Sequence, residues 1–198
     1  MSQLLIETNI WNANSMLTEN VSKENGNLVV SGILATAEVK NGNGRYYSRE
    51  LWERELAKYA EFVDGRRATG ELDHPESSVI NLKNVSHVIT ETWWQNDHVM
   101  GKIEILPTPS GQILGALIKA GVTVGVSSRG MGSLEQRGEV MEVQDDFELL
   151  CWDFVSTPSN PGSFMGVLAE SKNPNLIDYR QVNNTIREIL CSKGSCPM

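Results

Sequence analysis

Over most of its middle the chain alternates hydrophobic and polar residues with the two-residue period of strands, and in two places it changes to helical spacing. Residues 28 to 40 form an apolar-rich run that predicts a strand, with a bulge at Gly32, and Asn41-Gly42-Asn43-Gly44 after it is a strong turn signal. Leu51, Trp52, Leu56, Tyr59, Ala60 and Val63 then recur on one face, between Ser48 as N-cap and Gly65 as C′, which predicts a helix over about 49–63. Val85 to Trp94 and Val99 to Ile105 alternate around Gln95-Asn96-Asp97 and predict a hairpin. Thr108-Pro109 opens a second helix with Ile113, Leu114, Leu117 and Ile118 on one face and Gly121 past its end. It leads into a strand, Val122 to Val126, followed by a glycine-rich turn. Strands at 139–143 and 147–155 follow, and the prolines of Thr157-Pro158-Ser159-Asn160-Pro161-Gly162 end the last one.

The two ends read differently. Residues 1–26 are polar and asparagine-rich apart from Leu4-Leu5-Ile6, which predicts an arm or a short edge strand. Residues 171 to 180 are a polar linker, and Val182, Ile186, Ile189 and Leu190 make a weak amphipathic helix. The expected organisation is an arm (1–26), one domain (27–165), and a linker with tail (166–198). Its fold class is α+β, a closed or partly closed β-barrel core flanked by helices.

No apolar run approaches the ~18 residues of a membrane span, and the first residues lack the basic region of a secretory signal, so no membrane partner is expected. A net charge of −8, with no basic cluster beyond Arg66-Arg67, excludes nucleic acid as an expected partner. Three cysteines in such a chain suggest reduced thiols. Cys151 sits in an apolar run as a small hydrophobe, and Cys191 and Cys196 lack both a nearby histidine and zinc-knuckle spacing, so no metal or other cofactor is expected.

The chemistry-bearing stretch is Gly125-Val126-Ser127-Ser128-Arg129-Gly130, a pair of hydroxyls between glycines. It is either a polar turn or the seat of a nucleophile. A serine nucleophile needs a base, and histidine suits neutral pH. His87 lies inside a strand and His98 flanks a turn, whereas His74 sits in Gly70-Glu71-Leu72-Asp73-His74-Pro75, an irregular segment locked by proline that can aim an imidazole. A base in turn needs a third group to hold its tautomer. Asp153, within the otherwise apolar Leu149-Leu150-Cys151-Trp152-Asp153-Phe154-Val155, is the first candidate, a salt bridge to an arginine being the plainer reading. Glu91, Asp97 and Glu71 stand in reserve. A metal site built from Asp73, His74, His87 and Glu91 is a further reading, but it lacks the close histidine spacing of a helical ligand pair.

Gly70-Glu71-Leu72-Asp73-His74-Pro75, Trp93-Trp94, Gly125 to Ser133 and the amino-terminal Gln3-Leu4-Leu5-Ile6-Glu7-Thr8 together resemble the prohead core protein proteases of T-even-type tailed phages. More distantly, Val126-Ser127 and Val155 to Pro161 resemble other prohead proteases, related in fold to herpesvirus assemblin. The resemblance runs from residue 3 to about 162. It implies an assemblin-like serine endopeptidase with Ser127 as nucleophile, His74 as base and Asp153 where assemblin has a histidine. The oxyanion would be held by backbone N–H groups near Arg129 and Gly130, with the Arg129 charge adding to them. It also implies a zymogen, a homo-oligomer, inside the phage prohead in the host cytoplasm, whose substrates are the scaffold or core proteins and the major capsid protein. Cleavage after glutamate in Leu-x-Glu or Ile-x-Glu contexts would extend to the chain itself at Leu168-Ala169-Glu170, between Glu170 and Ser171. Arg66, Arg67 and Arg129 are candidates for reading the substrate glutamate. The alternative is a non-enzymatic capsid-assembly protein of the same fold, with Ser127 and His74 merely holding turns.

Overall fold

A computed structural model describes residues 2–7, 20–21, 26–156 and 165–167. In chain order the elements are β1 (Gln3–Ile6), β2 (Asn20–Val21), β3 (Leu28–Thr36), β4 (Arg45–Tyr46), α1 (Arg49–Asp64), β5 (Thr69–Glu71), β6 (Val85–Gln95) and β7 (His98–Ile105). There follow α2 (Pro109–Lys119), β8 (Gly125–Gly132), β9 (Leu134–Arg137), β10 (Val140–Val143), β11 (Glu148–Val155) and β12 (Met165–Val167).

The strands form three sheets, β1-β8-β11, β4-β10-β9 and β12-β3-β7-β6-β5, with β2 also on β3. All pairs are antiparallel except β10 with β4. The α+β class therefore holds, while the ladders among the described residues close no barrel. One parallel bridge, Leu72 to Phe154, joins the end of β5 to β11 and so links the large sheet to the small one.

Both helices begin where their capping residues direct. Ser48 accepts the Leu51 N–H and Thr108 accepts the Gly111 N–H, each satisfying a first-turn donor. On α1, Leu51, Trp52 and Tyr59 are buried, and Trp52 stacks on Trp152 of β11 with Phe147 edge-on. Glu55, buried on the same helix, accepts the Leu149 N–H (2.9 Å) and is neutralised by Arg54 and Lys58. That carboxylate fixes α1 to the start of β11. The core draws on β1, β3, β6, β7, β8, β11 and both helices, and burying one such aliphatic side chain as Leu114 stabilises by about 2 kcal/mol.

Three local expectations are corrected. The bulge in β3 falls between Ile33 and Ala35 rather than at Gly32, because Leu34 turns into the space left by Gly101, where a Cβ would stand 2.4 Å from it. Gly65 has φ −79°, so the left-handed step is taken by Arg66 at φ 51°. Residues 122–124 are outside any strand, and the stretch from Gly125 onwards is strand where a turn was predicted after Ser127. The glycines there answer to packing: a Cβ on Gly130 would lie 2.4 Å from the Phe147 ring. The strand-ending prolines, the Glu170–Ser171 bond, the tail helix, Cys191 and Cys196 lie outside the described residues.

Candidate active site

Asp153 on β11 stands directly opposite Ser127 on β8, so their side chains share one face of the small sheet, and Arg129, two residues along, joins them. Ser128 points the other way, into a small cavity with Glu7, Tyr47 and Trp52. His74 reaches this face because its loop is fastened to β11: Leu72 bridges Phe154, and the Asp73 N–H donates to the Phe154 carbonyl (2.8 Å). Asp73 itself takes φ 67°, a left-handed conformation that aspartate tolerates better than most residues. His74 Nδ1 then lies 2.9 Å from Asp153 Oδ2. A carboxylate can only accept, so this bond places the proton on Nδ1 and leaves Nε2 as an acceptor.

Ser127 Oγ and His74 Nε2 are both buried, and neither has a hydrogen-bond partner among the described residues. Ser127 is 1% exposed and Asp153 0%. A carboxylate that deep must be compensated. Asp153 Oδ1 accepts the Glu71 N–H (2.9 Å) and Arg129 Nη2 (3.2 Å), with Cys151 Sγ at 3.4 Å. Arg129 Nε is 2.9 Å from Oδ2 but off the hydrogen-bond line, so it contributes charge rather than a bond. Burial alone would raise the Asp153 pKa, yet the bond to His74, the Arg129 charge and the Glu71 N–H overcome it and hold the carboxyl below its ordinary range. Burial pushes the Cys151 thiol and the Tyr59 hydroxyl well up, and both stay neutral.

Arg129 is fully buried and does not face an open site. Besides Asp153 it binds Glu71 Oε1 (3.2 Å) and the Ser77 carbonyl (2.7 Å), so its charge serves the chain's own carboxylates rather than an oxyanion or a substrate glutamate. Gly130 lies mid-strand between β1 and β11. Among the reserve carboxylates, Glu91 pairs with Lys102 (2.6 Å) and Asp97 with Arg49 (3.3 Å), both exposed, while Glu71 sits one step from Asp153 across Arg129. Arg66 pairs with Glu104, and Arg67 lies over the Phe62 ring.

His87 lies inside β6, where the sequence predicts a strand, and is fully buried. Its Nε2 donates to the Trp152 carbonyl (3.0 Å), Ser86 Oγ contacts Nδ1 (2.8 Å), and burial lowers its pKa to about 4. The residues proposed for a metal site are thus spread over separate partners, and no group of three or more such ligands converges among the described residues. Glu71 and Arg129 act jointly on Asp153, a link between distant residues that no local pattern in the sequence announces. The signal for a cation was Asp153, a carboxylate in an otherwise apolar run that a buried positive charge has to balance.

A mostly stranded α+β fold with a buried serine, a histidine and a carboxylate on one sheet face presents the residue types of a serine hydrolase. The chain belongs to the prohead core protein serine protease family, which it matches over residues 5–173. It is 34% identical over 176 residues to the prohead core protein protease of Enterobacteria phage T4, covering 82% of this chain and 83% of that protein. The solved structure of the bacteriophage T4 capsid assembly protease matches with a TM-score of 0.70 at 31% identity, over 78% of this chain and 98% of that one. No helix among the described residues is long and apolar enough to cross a membrane.

Proposed function

We propose that this chain matures a phage prohead as a serine endopeptidase in which Ser127 is the nucleophile, His74 the general base and Asp153 the residue that orients it. The observation that carries the reading is the 2.9 Å bond from His74 Nδ1 to an Asp153 that stands across the ladder from Ser127. Ser127 Oγ attacks the scissile carbonyl carbon as its proton passes to His74 Nε2. The tetrahedral intermediate collapses when Nε2 returns that proton to the leaving amine and the C–N bond breaks. Water, deprotonated by His74, then hydrolyses the acyl enzyme. Asp153 offsets the imidazolium charge throughout.

The substrates on this reading are the internal scaffold or core proteins and the major capsid protein, cut after glutamate in Leu-x-Glu or Ile-x-Glu sequences. The chain acts inside the prohead in the host cytoplasm, as a homo-oligomer, and cuts itself between Glu170 and Ser171. The test is intact mass over time on purified wild type beside Ser127→Ala, together with a Leu-x-Glu peptide. Loss of residues 171–198 and peptide cleavage by wild type alone are expected, with at least about a 10³-fold fall in the variant. Ser128→Ala retains substantial activity, because Ser128 faces the opposite side of β8. Equal cleavage by wild type and Ser127→Ala would overturn the assignment.

A further inference from the structure

Asp153 belongs to a buried charge cluster whose other two members, Glu71 and Arg129, the acyl-transfer reading leaves unused. The cluster contains two carboxylates, Asp153 and Glu71, and one guanidinium, Arg129, all 0% exposed. Arg129 Nη2 is 3.2 Å from both Glu71 Oε1 and Asp153 Oδ1, so the three side chains are one unit. The same unit holds the His74 loop from the far side. Arg129 Nη1 binds the Ser77 carbonyl at 2.7 Å, and Glu71 Oε1 accepts the Asn81 N–H at 2.8 Å. One ion pair therefore touches the orienting carboxylate and two points, Ser77 and Asn81, of the loop that follows the base.

With both carboxylates ionised, the cluster carries one negative charge in excess. The other titratable groups packed on it do not change that count. Cys151 beside Asp153 on β11 and Tyr59 on α1 are held neutral by burial, and His87 on β6 stays neutral above about pH 4. Asp73 and Glu76 on the His74 loop are exposed. The charge that completes the cluster is the proton His74 gains when Ser127 is deprotonated. In a buried site an excess charge that is balanced only in the transition state favours that state over the ground state.

We propose that Glu71 and Arg129 are positioning residues that set the cluster at one negative charge, so that the proton taken by His74 neutralises it, while fixing the loop that carries His74. The proposal rests on the assignment of Ser127, His74 and Asp153 above. Arg129 supplies the one positive charge that keeps two carboxylates from repelling each other, and Glu71 keeps Arg129 from cancelling Asp153 altogether.

The test is a pH titration of the His74 imidazole by heteronuclear NMR in the full chain carrying Ser127→Ala, which has only two other histidines to distinguish. Glu71→Gln makes the cluster neutral and should lower the His74 midpoint by about one pH unit; Arg129→Met should raise it by about as much. The double variant restores a single negative charge, and its midpoint should return to that of the parent. Arg129→Met is the variant at risk of unfolding, and if it does, Glu71→Gln decides. In the active chain, Glu71→Gln should move the acid limb of kcat/KM for a Leu-x-Glu peptide downward, with kcat reduced about tenfold and KM little changed. Arg129→Lys, which keeps the charge, should leave the limb where it is while lowering kcat. A Glu71→Gln protein that loses activity with an unmoved His74 midpoint has a merely structural Glu71, which overturns the proposal. Cleavage by Ser127→Ala instead overturns the nucleophile, and the proposal with it, so the two failures are distinct.

Discussion

Asp153 illustrates how one residue ties stability to chemistry. Its folded pKa is depressed, so the unfolded state binds more protons there at low pH, and its stabilisation is complete above about pH 4 and lost as pH falls further. Asp153→Asn should lower kcat by about 10⁴-fold, because an amide can hold the wrong imidazole tautomer, as peptide-cleavage kinetics would show. His87 adds a second, separable pH dependence. Its folded pKa of about 4 lies below the unfolded value, so its contribution is full above about pH 6.5 and shrinks towards pH 4 by about 3 kcal/mol. Urea midpoints measured between pH 7 and 4 should fall less in His87→Gln than in wild type, whatever the offset between them at pH 7. An identical slope in both would place the titration elsewhere.

At the scale of elements, what could be read from the chain was what is decided locally. The helices were legible because a 3.6-residue apolar face and an N-cap hydroxyl lie within a few residues of each other, as at Ser48 with Leu51 or Thr108 with Leu114. The strand through Ser127 was misread for the converse reason. Its glycines suggested a turn, whereas their cause is Phe147, brought alongside only by the pairing of β8 with β11. β4 and β9, at two and four residues, are too short to carry a period. Gly130 is therefore predicted to be a packing glycine with negative φ, and Gly130→Ala should cost about 1–3 kcal/mol in chemical denaturation through the clash with the Phe147 ring and the Glu148 carbonyl. An alanine tolerated there without loss would return it to an ordinary strand position.

For the whole molecule, the sequence offers Ser127, His74 and Asp153 as candidates, but not the long-range contacts that bring His74 to Asp153. The bridge from Leu72 to Phe154 and the Arg129 ion pairs depend on residues 24 to 82 positions apart, a separation no local pattern encodes. The amino-terminal strand belongs to the same class of feature. β1 pairs with β8 along 129–132, its Leu5 enters the core, and the Glu7 N–H donates to the Ser128 carbonyl, next to Ser127. Glu7 ends the strand in a socket supplied by alternate residues of one segment: Asn41 (2.6 Å), Asn43 (3.0 Å), Arg45 (3.0 Å) and the Tyr47 hydroxyl. A buried carboxylate with four donors is specific, and removing it takes the acceptor from the buried Asn41 amide and Tyr47 hydroxyl at a cost of about 1–3 kcal/mol. Glu7→Ala should accordingly lower Tm, and a chain beginning at residue 8 should lose more, together with peptide cleavage, because β8 then has an unpaired edge beside the serine. Adding a synthetic peptide of residues 2–7 should restore both in a saturable manner, read by thermal melting and by cleavage rate. Truncation that leaves Tm and activity at wild-type values would show that β1 covers the sheet without supporting it.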